Sequence, residues 1–170
     1  MNPFATLGVP ARFDLDLRAL EKAHRELSRA LHPDRHLGAS PSERRDALSR
    51  AVEVNEAWRI VRDPIRRAEA LLALRGARVS EGAEPKADPE FLMEMLELRE
   101  ALAEARQGRD LGAVRTLARG IEERSNRVLG ELTAGFAGGE AASLVAKVGE
   151  LRFYRRFLDE VSAIEEELAA

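Results

Sequence analysis

Apolar and basic residues occupy opposite sides of the first long periodic stretch of the chain, residues 17–31. The pattern predicts an α-helix, because at about 100° per residue the basic side chains share an arc of roughly 60° and the leucines lie across from them. The basic residues are Arg18, Lys22, Arg25 and Arg29, and the leucines are Leu17, Leu20, Leu27 and Leu31. Asp16 is the predicted N-cap. His32-Pro33 ends the helix, since proline fixes its own φ and pushes the preceding residue out of the α region.

A second amphipathic stretch follows, and capping signals mark both of its ends. The residues of a capping box with proline at its first helical position are Ser40, Pro41 and Glu43. Asp63-Pro64 ends the helix. Its apolar stripe spans about 120° and is expected to face the first helix. The stripe consists of Leu48, Ala51, Val52, Asn55 and Trp58. A shorter helix over residues 65–74 is predicted to close at Gly76, and His24 is expected to be packed near the leucine side of the first helix.

Three further helical runs follow residues 76–87, which are rich in glycine, alanine and charge and are predicted to form a linker. The runs begin near Asp88, Asp110 and Glu140. The period-two alternation that marks strands is absent from the sequence. The fold class is therefore predicted to be all-α, with an N-terminal module built on a helical hairpin (residues 1–75) and a C-terminal antiparallel three-helix bundle (residues 88–170).

The first C-terminal helix carries more apolar residues than one core stripe needs. A stripe within about 40° suffices for the core, and it consists of Phe91, Met95, Leu98 and Leu102. Leu92, Leu96 and Met93 lie roughly 100°, 140° and 200° around from this stripe. Phe153 is similarly displaced on the last helix, whereas Leu151 and Tyr154 are expected in the core. Exposed apolar residues on adjacent helices mark an interaction surface, with Glu97, Arg99 and Glu100 as its polar rim. A bundle helix can also bury a wide arc, which is the alternative.

Composition and charge narrow the class of protein. The 170 residues are 45% hydrophobic and 34% charged, with only 5% aromatic residues, which suits packed helices. The absence of cysteine excludes disulfides, thiolate metal sites and a cysteine nucleophile. A signal peptide and a run of ~20 apolar residues are both missing, so a cytoplasmic protein is expected. Residues 1–75 carry 14 Lys and Arg against 11 Asp and Glu, a net of +3, and residues 76–170 carry 13 against 19, a net of −6.

Several strings of residues resemble known families. The basic helix ending in His32-Pro33-Asp34 resembles the J-domain family, and so do the strings Asn-Glu-Ala-Trp at 55–58 and Asp-Pro-Ile-Arg-Arg-Ala at 63–68. The chain as a whole is similar to the HscB family, the J-type co-chaperones of iron–sulfur cluster assembly. That similarity is carried by Arg-Ala-Glu-Ala-Leu-Leu at 67–72, Phe-Leu-Met-Glu-Met-Leu-Glu-Leu-Arg-Glu at 91–100 and Leu-Arg-Phe-Tyr at 151–154.

The resemblance implies an L-shaped protein whose J-domain engages HscA, a DnaK-type ATPase, and whose C-terminal domain carries the scaffold protein IscU. The residues that it implies for binding the ATPase chaperone are His32, Pro33, Asp34, Arg18, Lys22, Arg25 and Arg29. Those that it implies for binding the scaffold are Leu92, Met93, Leu96, Glu97, Glu100 and Phe153. No cofactor, no metal and no catalytic residue are implied, because hydrolysis takes place in the ATPase. Neither nucleic acid nor a membrane is an expected partner.

Three other functions stay open. A J-domain co-chaperone for a different client would share the N-terminal half. A helical nucleic-acid-binding protein could use the same basic helix, but the acidic C-terminal half and the mild charge of the N-terminal half disfavour it. A hydrolase centred on His32 and Asp34 would need a third group of suitable geometry, and Arg35 and His36 supply no obvious one.

Overall fold

A computed structural model describes residues 1–77, 88–138 and 141–169, and within these ranges it contains helices and no strand. The all-α class is confirmed. The helices are α1 (Pro3–Leu7), α2 (Leu17–Ala30), a 3-10 helix (Pro33–His36), α3 (Pro41–Arg62), α4 (Pro64–Leu74), α5 (Pro89–Gln107), α6 (Leu111–Gly138) and α7 (Ala141–Ala169). The chain divides into two compact units, residues 1–78 and 79–170. Most of the predicted linker, and Gly139 of the predicted break, lie outside the described residues.

The ends of the helices in the first unit follow from capping chemistry. The Asp16 carboxylate accepts hydrogen bonds from the backbone N–H groups of Arg18 (2.9 Å) and Ala19 (3.3 Å), which confirms it as the N-cap of α2. Ser40 Oγ accepts from the N–H of Glu43 (3.3 Å), and the Glu43 carboxylate accepts from the N–H of Ser40 (2.8 Å), so the predicted capping box is present. Hydrogen bonds to the Glu43 carboxylate, first from the backbone N–H of Ser40 and then from its side chain, lower the pKa of Glu43.

The buried face of α3 differs from the predicted stripe. Its buried residues are Ala47, Val54, Ala57 and Val61. Leu48 and Val52 are 60% and 62% exposed, so the prediction that they face α2 is wrong. Helices α1, α2 and α4 all pack against α3, and the alanines on its buried face let these neighbours approach closely. Helical periodicity predicted that Leu48 and Val52 are buried because they are large and apolar. It cannot show that three helices pack against α3 from different sides.

The leucine side of α2 is also narrower than expected. Leu20 is 1% exposed and belongs to the core, and Leu27 and Leu31 are half-buried. Leu17 is 55% exposed, so its expected place on the buried side is wrong. As the first residue of α2, it lies at the edge of the hairpin. Phe4, Leu7 and Phe13, from α1 and the segment after it, fill the core instead.

Arg67 is buried in the first unit, which the sequence did not predict. Its side chain is 8% exposed, Nη1 donates a hydrogen bond to the carbonyl of Val61 (3.0 Å), and its guanidinium lies 4.9 Å from the centroid of the Phe13 ring. Burial lowers the pKa of Arg67, and the carboxylates of Asp63 and Asp14 oppose that shift. The side chain thus links the segment before α2 to the α3–α4 junction.

The second unit is a three-helix bundle, as predicted. Asp88 and Asp110 cap α5 and α6 by accepting hydrogen bonds from backbone N–H groups. Ion pairs join Glu94 to Arg124 (2.6 Å), Arg106 to Glu167 (2.6 Å) and Arg115 to Glu165 (3.1 Å). The start of α5 therefore meets the middle of α6, and the end of α5 meets the end of α7. Helix α6 runs antiparallel to both of its neighbours in the chain.

The core of the bundle contains most of the predicted apolar residues. Met95 and Leu102 of the α5 stripe are buried, and Phe91 and Leu98 are half-buried. Leu151 and Tyr154 are 3% and 4% exposed, which confirms both as core residues. Burial raises the pKa of the Tyr154 hydroxyl. Across the described ranges, none of the helices is both long enough and apolar enough to cross a bilayer.

Candidate functional site

The loop after α2 has a defined conformation. His32 has an extended backbone (φ −63°, ψ 135°), and Pro33 opens the short 3-10 helix. The His32 ring accepts a hydrogen bond at Nδ1 from the backbone N–H of Asp34 (3.3 Å), and the same nitrogen lies 3.5 Å from the Asp34 carboxylate. The ring N–H of His36 donates from Nε2 to the carbonyl of Ala30 (3.1 Å) and ties the loop to the end of α2. His32 and Asp34 are both exposed, so these interactions orient them without burying them.

The basic residues of α2 form one exposed surface, which we call the basic surface: Arg18, Lys22, Arg25 and Arg29. On this surface Lys22 forms an ion pair with Glu26 at 3.9 Å, and both partners are largely exposed. Such a pair contributes little to stability. The four cations are therefore presented to solvent, and Arg29 lies in the last turn of α2, next to the loop that carries His32 and Asp34.

A polar and aromatic seam holds α2 against α3. The His24 ring stacks on Trp58 with centroids 4.6 Å apart and planes 12° from parallel. His24 Nε2 lies 3.1 Å from Asn55 Oδ1 and 3.3 Å from Ser28 Oγ. The prediction that His24 is packed is confirmed, and Asn55 and Trp58 do meet α2 as expected. The seam holds in place the helix whose outer face is the basic surface.

Three large apolar side chains of α5 face solvent. We call Leu92, Met93 and Leu96 the apolar patch; they are 43%, 59% and 52% exposed. Their predicted place outside the core is confirmed. Burying a large apolar side chain stabilises a fold, and these three side chains do not contribute that free energy. Contiguous exposed apolar residues mark interaction sites. The predicted polar rim, Glu97, Arg99 and Glu100, is exposed on the same helix.

Phe153 extends the apolar surface from α5 onto α7. Its ring meets the ring of Phe91 edge-on, with centroids 5.5 Å apart. The guanidinium of Arg156 lies 4.7 Å from the centroid of the Phe153 ring. Phe153 is half-buried rather than fully exposed, because Phe91 covers part of it. The structure thus brings Phe153 to the helix that carries the apolar patch.

An acidic groove opens on another side of α5. Its volume is about 780 Å³, and it is lined by Asp88, Pro89, Glu90, Phe91, Met93, Glu94, Glu97, Glu150 and Tyr154. The hydrogen bond from Arg124 lowers the pKa of Glu94. Met93 and Glu97 therefore border both the apolar patch and this groove. Among the described residues, no cluster of three or more His, Asp or Glu side chains is arranged to hold a metal ion.

Two family models of known proteins match this chain, one in each of its two compact units. A family model described as DnaJ domain matches residues 2–70, and one described as HSCB C-terminal oligomerisation domain matches residues 87–162. The co-chaperone protein HscB homolog of Ralstonia nicotianae is 39% identical over 156 residues, which cover 90% of this chain and 88% of that protein. The homolog of Mannheimia succiniciproducens is 31% identical over 169 residues, with 99% and 98% covered. The chain belongs to the HscB co-chaperone family.

A solved HscB structure supports the same assignment. Chaperone HscB from Vibrio cholerae is 32% identical, covers 99% of both chains and superposes with a TM-score of 0.86. In this HscB-family chain, the DnaJ-domain match contains the basic surface and the His32 loop, and the second match contains the apolar patch and Phe153. The contact of Arg156 with the Phe153 ring was not predicted from the sequence. It could have been, because Arg156 follows Phe153 by three residues, a spacing that puts two side chains next to each other on a helix.

Proposed function

We propose that this HscB-family co-chaperone binds an iron–sulfur cluster scaffold of the IscU type and delivers it to a DnaK-type ATPase of the HscA type, stimulating ATP hydrolysis by that partner. The proposal assigns the first task to the C-terminal bundle, residues 88–170, and the second to the J-domain, residues 1–75. The observation that carries it is the pairing, in one HscB-family chain, of an exposed basic helix ending in His32-Pro33-Asp34 with an exposed apolar patch.

The J-domain side of the proposal is electrostatic. Exposed cations attract an acidic surface over a distance of about a Debye length and raise the rate of encounter. The basic surface would thus steer the J-domain onto the ATPase, and the adjoining loop would present His32 and Asp34 to the docked partner. No hydrolytic residue is assigned to this chain, so the stimulation is an allosteric effect inside the partner.

The client side of the proposal depends on apolar burial. Leu92, Met93, Leu96 and Phe153 would form the centre of the interface, and Glu97 and Glu100 would form its rim. A few central apolar residues usually dominate the affinity of such an interface. Methionine suits this role, since its flexible thioether adapts to a partner's shape.

Two of the alternative functions make predictions that differ from those of the proposed function. A J-domain co-chaperone for another client would stimulate an ATPase but would not bind an IscU-type scaffold. A nucleic-acid-binding protein would lose affinity steeply with salt, and the net charge of +3 on residues 1–75 is small for that class.

The deciding experiment is single-turnover ATP hydrolysis by the cognate HscA-type chaperone, measured with this chain, with the IscU-type scaffold, and with both. The proposal expects stimulation by the chain alone and a more than additive stimulation when the scaffold is present. Stimulation that the scaffold does not change would favour another client. No stimulation under either condition would reject the J-domain assignment.

A further inference from the structure

The ring of Phe153 has neighbours on two sides. Phe91 of α5 meets it edge-on at 5.5 Å, and the Arg156 guanidinium lies 4.7 Å from its centroid. An edge-on aromatic pair and a cation over a ring face are both favourable arrangements. Both contacts favour the observed orientation of the Phe153 ring, and Arg156 supplies one of them.

Arg156 differs from the arginines that form ion pairs between helices of the bundle. Arg106, Arg115 and Arg124 each form an ion pair with a glutamate, at 2.6, 3.1 and 2.6 Å. Arg156 is exposed and, within the described residues, has no carboxylate within ion-pair distance. Its positive charge is therefore not neutralised inside the bundle and is available to a partner.

Charged side chains of both signs border this surface. Helix α5 contributes Glu97, Arg99 and Glu100, and α7 contributes Arg156 at Phe153. A partner that covered the apolar centre would meet a rim of mixed charge on α5 and the Arg156 cation on α7. Such an arrangement fixes the orientation of the partner, because the reversed orientation would bring like charges together.

We propose that Arg156 is a specificity-determining residue of the scaffold-binding surface, which orients Phe153 and receives a carboxylate of the scaffold protein. This inference rests on the proposed function. A guanidinium suits the task, because its planar fork can lie on an aromatic ring and still offer N–H donors to a carboxylate. Docking removes water from the pair and so strengthens the attraction.

The test measures the affinity of the full chain for the purified IscU-type scaffold protein by calorimetry, at about 0.05 M and about 0.5 M salt. The variants are Arg156→Lys, Arg156→Gln and Arg156→Glu. The matched control is Arg119→Glu, which makes the same change of charge on α6, where the exposed Arg119 donates a hydrogen bond to Thr116 of its own helix.

At low salt we expect graded losses: least for Arg156→Lys, more for Arg156→Gln, and about tenfold or more for Arg156→Glu, since charge reversal replaces attraction with repulsion. At high salt the loss in Arg156→Glu shrinks, because ions screen the charge. Arg119→Glu stays close to the unmodified chain. Equal losses in all three Arg156 variants, unchanged by salt, would show that only the packing of Phe153 matters and would overturn the carboxylate contact.

Failure of the proposed function and failure of the Arg156 proposal give different results. If the unmodified chain does not bind the scaffold, the proposed function itself is wrong. If it binds, and Arg156→Glu binds equally well at low salt, the role of Arg156 is wrong and the proposed function stands.

Discussion

On α2 of the J-domain four cationic side chains face solvent, and on α5 of the bundle three large apolar side chains do the same. Charged side chains are ordinarily exposed, so the basic surface becomes informative only through its position beside His32-Pro33-Asp34. Large apolar side chains are more often buried, so the apolar patch is informative through the clustering of three exposed ones on a single helix. The two surfaces therefore need different experiments: the first responds to salt and charge, and the second to side-chain size.

The largest expected effect is the loss of ATPase stimulation, without loss of stability, when His32 or Asp34 is replaced. Replacing His32 by Gln, or Asp34 by Asn, should reduce stimulation of the HscA-type ATPase to its basal rate, because these side chains are presented to the partner at the end of the basic surface. Both residues are exposed, so the free energy of unfolding should change by no more than about 0.5 kcal/mol. Single-turnover hydrolysis and thermal unfolding measure the two quantities. Full stimulation by His32→Gln would contradict the proposed mechanism.

The next largest effect tests the apolar patch. Truncating Leu92, Met93 and Leu96 together to Ala should cost at least about 2 kcal/mol of scaffold affinity. It should barely change stability, since exposed side chains leave no cavity. The control is Leu102→Ala on the same helix, a residue that is 0% exposed. That change should destabilise the chain by about 2–5 kcal/mol. If the triple variant unfolds as readily as Leu102→Ala, the patch is part of the core and the comparison fails.

The structure changes the expectation for Phe153. The sequence predicts that Phe153 belongs to the exposed surface, and truncating an exposed side chain leaves no gap. Because it is half-buried against Phe91, Phe153→Ala removes packing as well as a contact surface. A loss of scaffold affinity in Phe153→Ala could come from the lost packing or from the lost contact surface. The variant of Leu92, Met93 and Leu96 tests the contact surface alone.

These examples show what the sequence could and could not predict. Caps and helix ends follow from local hydrogen bonds, so Asp16, Ser40 and Glu43 were predictable from neighbouring residues. The buried face of α3 depends on several helices at once, so Leu48 and Val52 were placed wrongly. A single helical period cannot predict such contacts.

The buried and paired side chains were also beyond sequence reasoning. Arg67 donates to the Val61 carbonyl and lies over Phe13, a residue more than fifty positions away in the chain. The Phe91–Phe153 contact joins two helices across a similar separation. In contrast, the exposure of the apolar patch was predictable, because it follows from a surplus of apolar residues on one helix.

A smaller effect concerns the basic surface. Reversing Arg25 and Arg29 to Glu should slow association with the ATPase by about tenfold at low salt, because exposed charges act mainly through steering. The dependence of the association rate on salt should become weaker, and scaffold binding should stay unchanged. Stopped-flow association with the HscA-type partner measures the first two, and calorimetry with the scaffold measures the third. Equal losses of both activities would indicate misfolding instead.

The smallest expected effect concerns charges that are paired inside the bundle, in contrast to those of the basic surface. The hydrogen bond from Arg124 lowers the pKa of Glu94 in the folded chain. A carboxylate with a lowered folded-state pKa stabilises the fold above its unfolded pKa of about 4.3, and that contribution is lost as the pH falls through the folded value. Glu94→Gln should therefore lower stability at neutral pH, and the difference should disappear in acid.

The side chains of this pair are 45% exposed for Glu94 and 34% exposed for Arg124, so solvent screening keeps the effect below about 1 kcal/mol. The matched control is Glu100→Gln, which removes a carboxylate of the same helix that has no ion pair among the described residues. Thermal unfolding of the full-length variants between neutral and acid pH measures the difference. An equal loss in Glu94→Gln and Glu100→Gln at neutral pH would mean that the Glu94–Arg124 pair contributes nothing beyond a surface charge. A loss confined to Glu94→Gln would show that the bundle uses this charge for its own stability, whereas the cations of the basic surface face solvent.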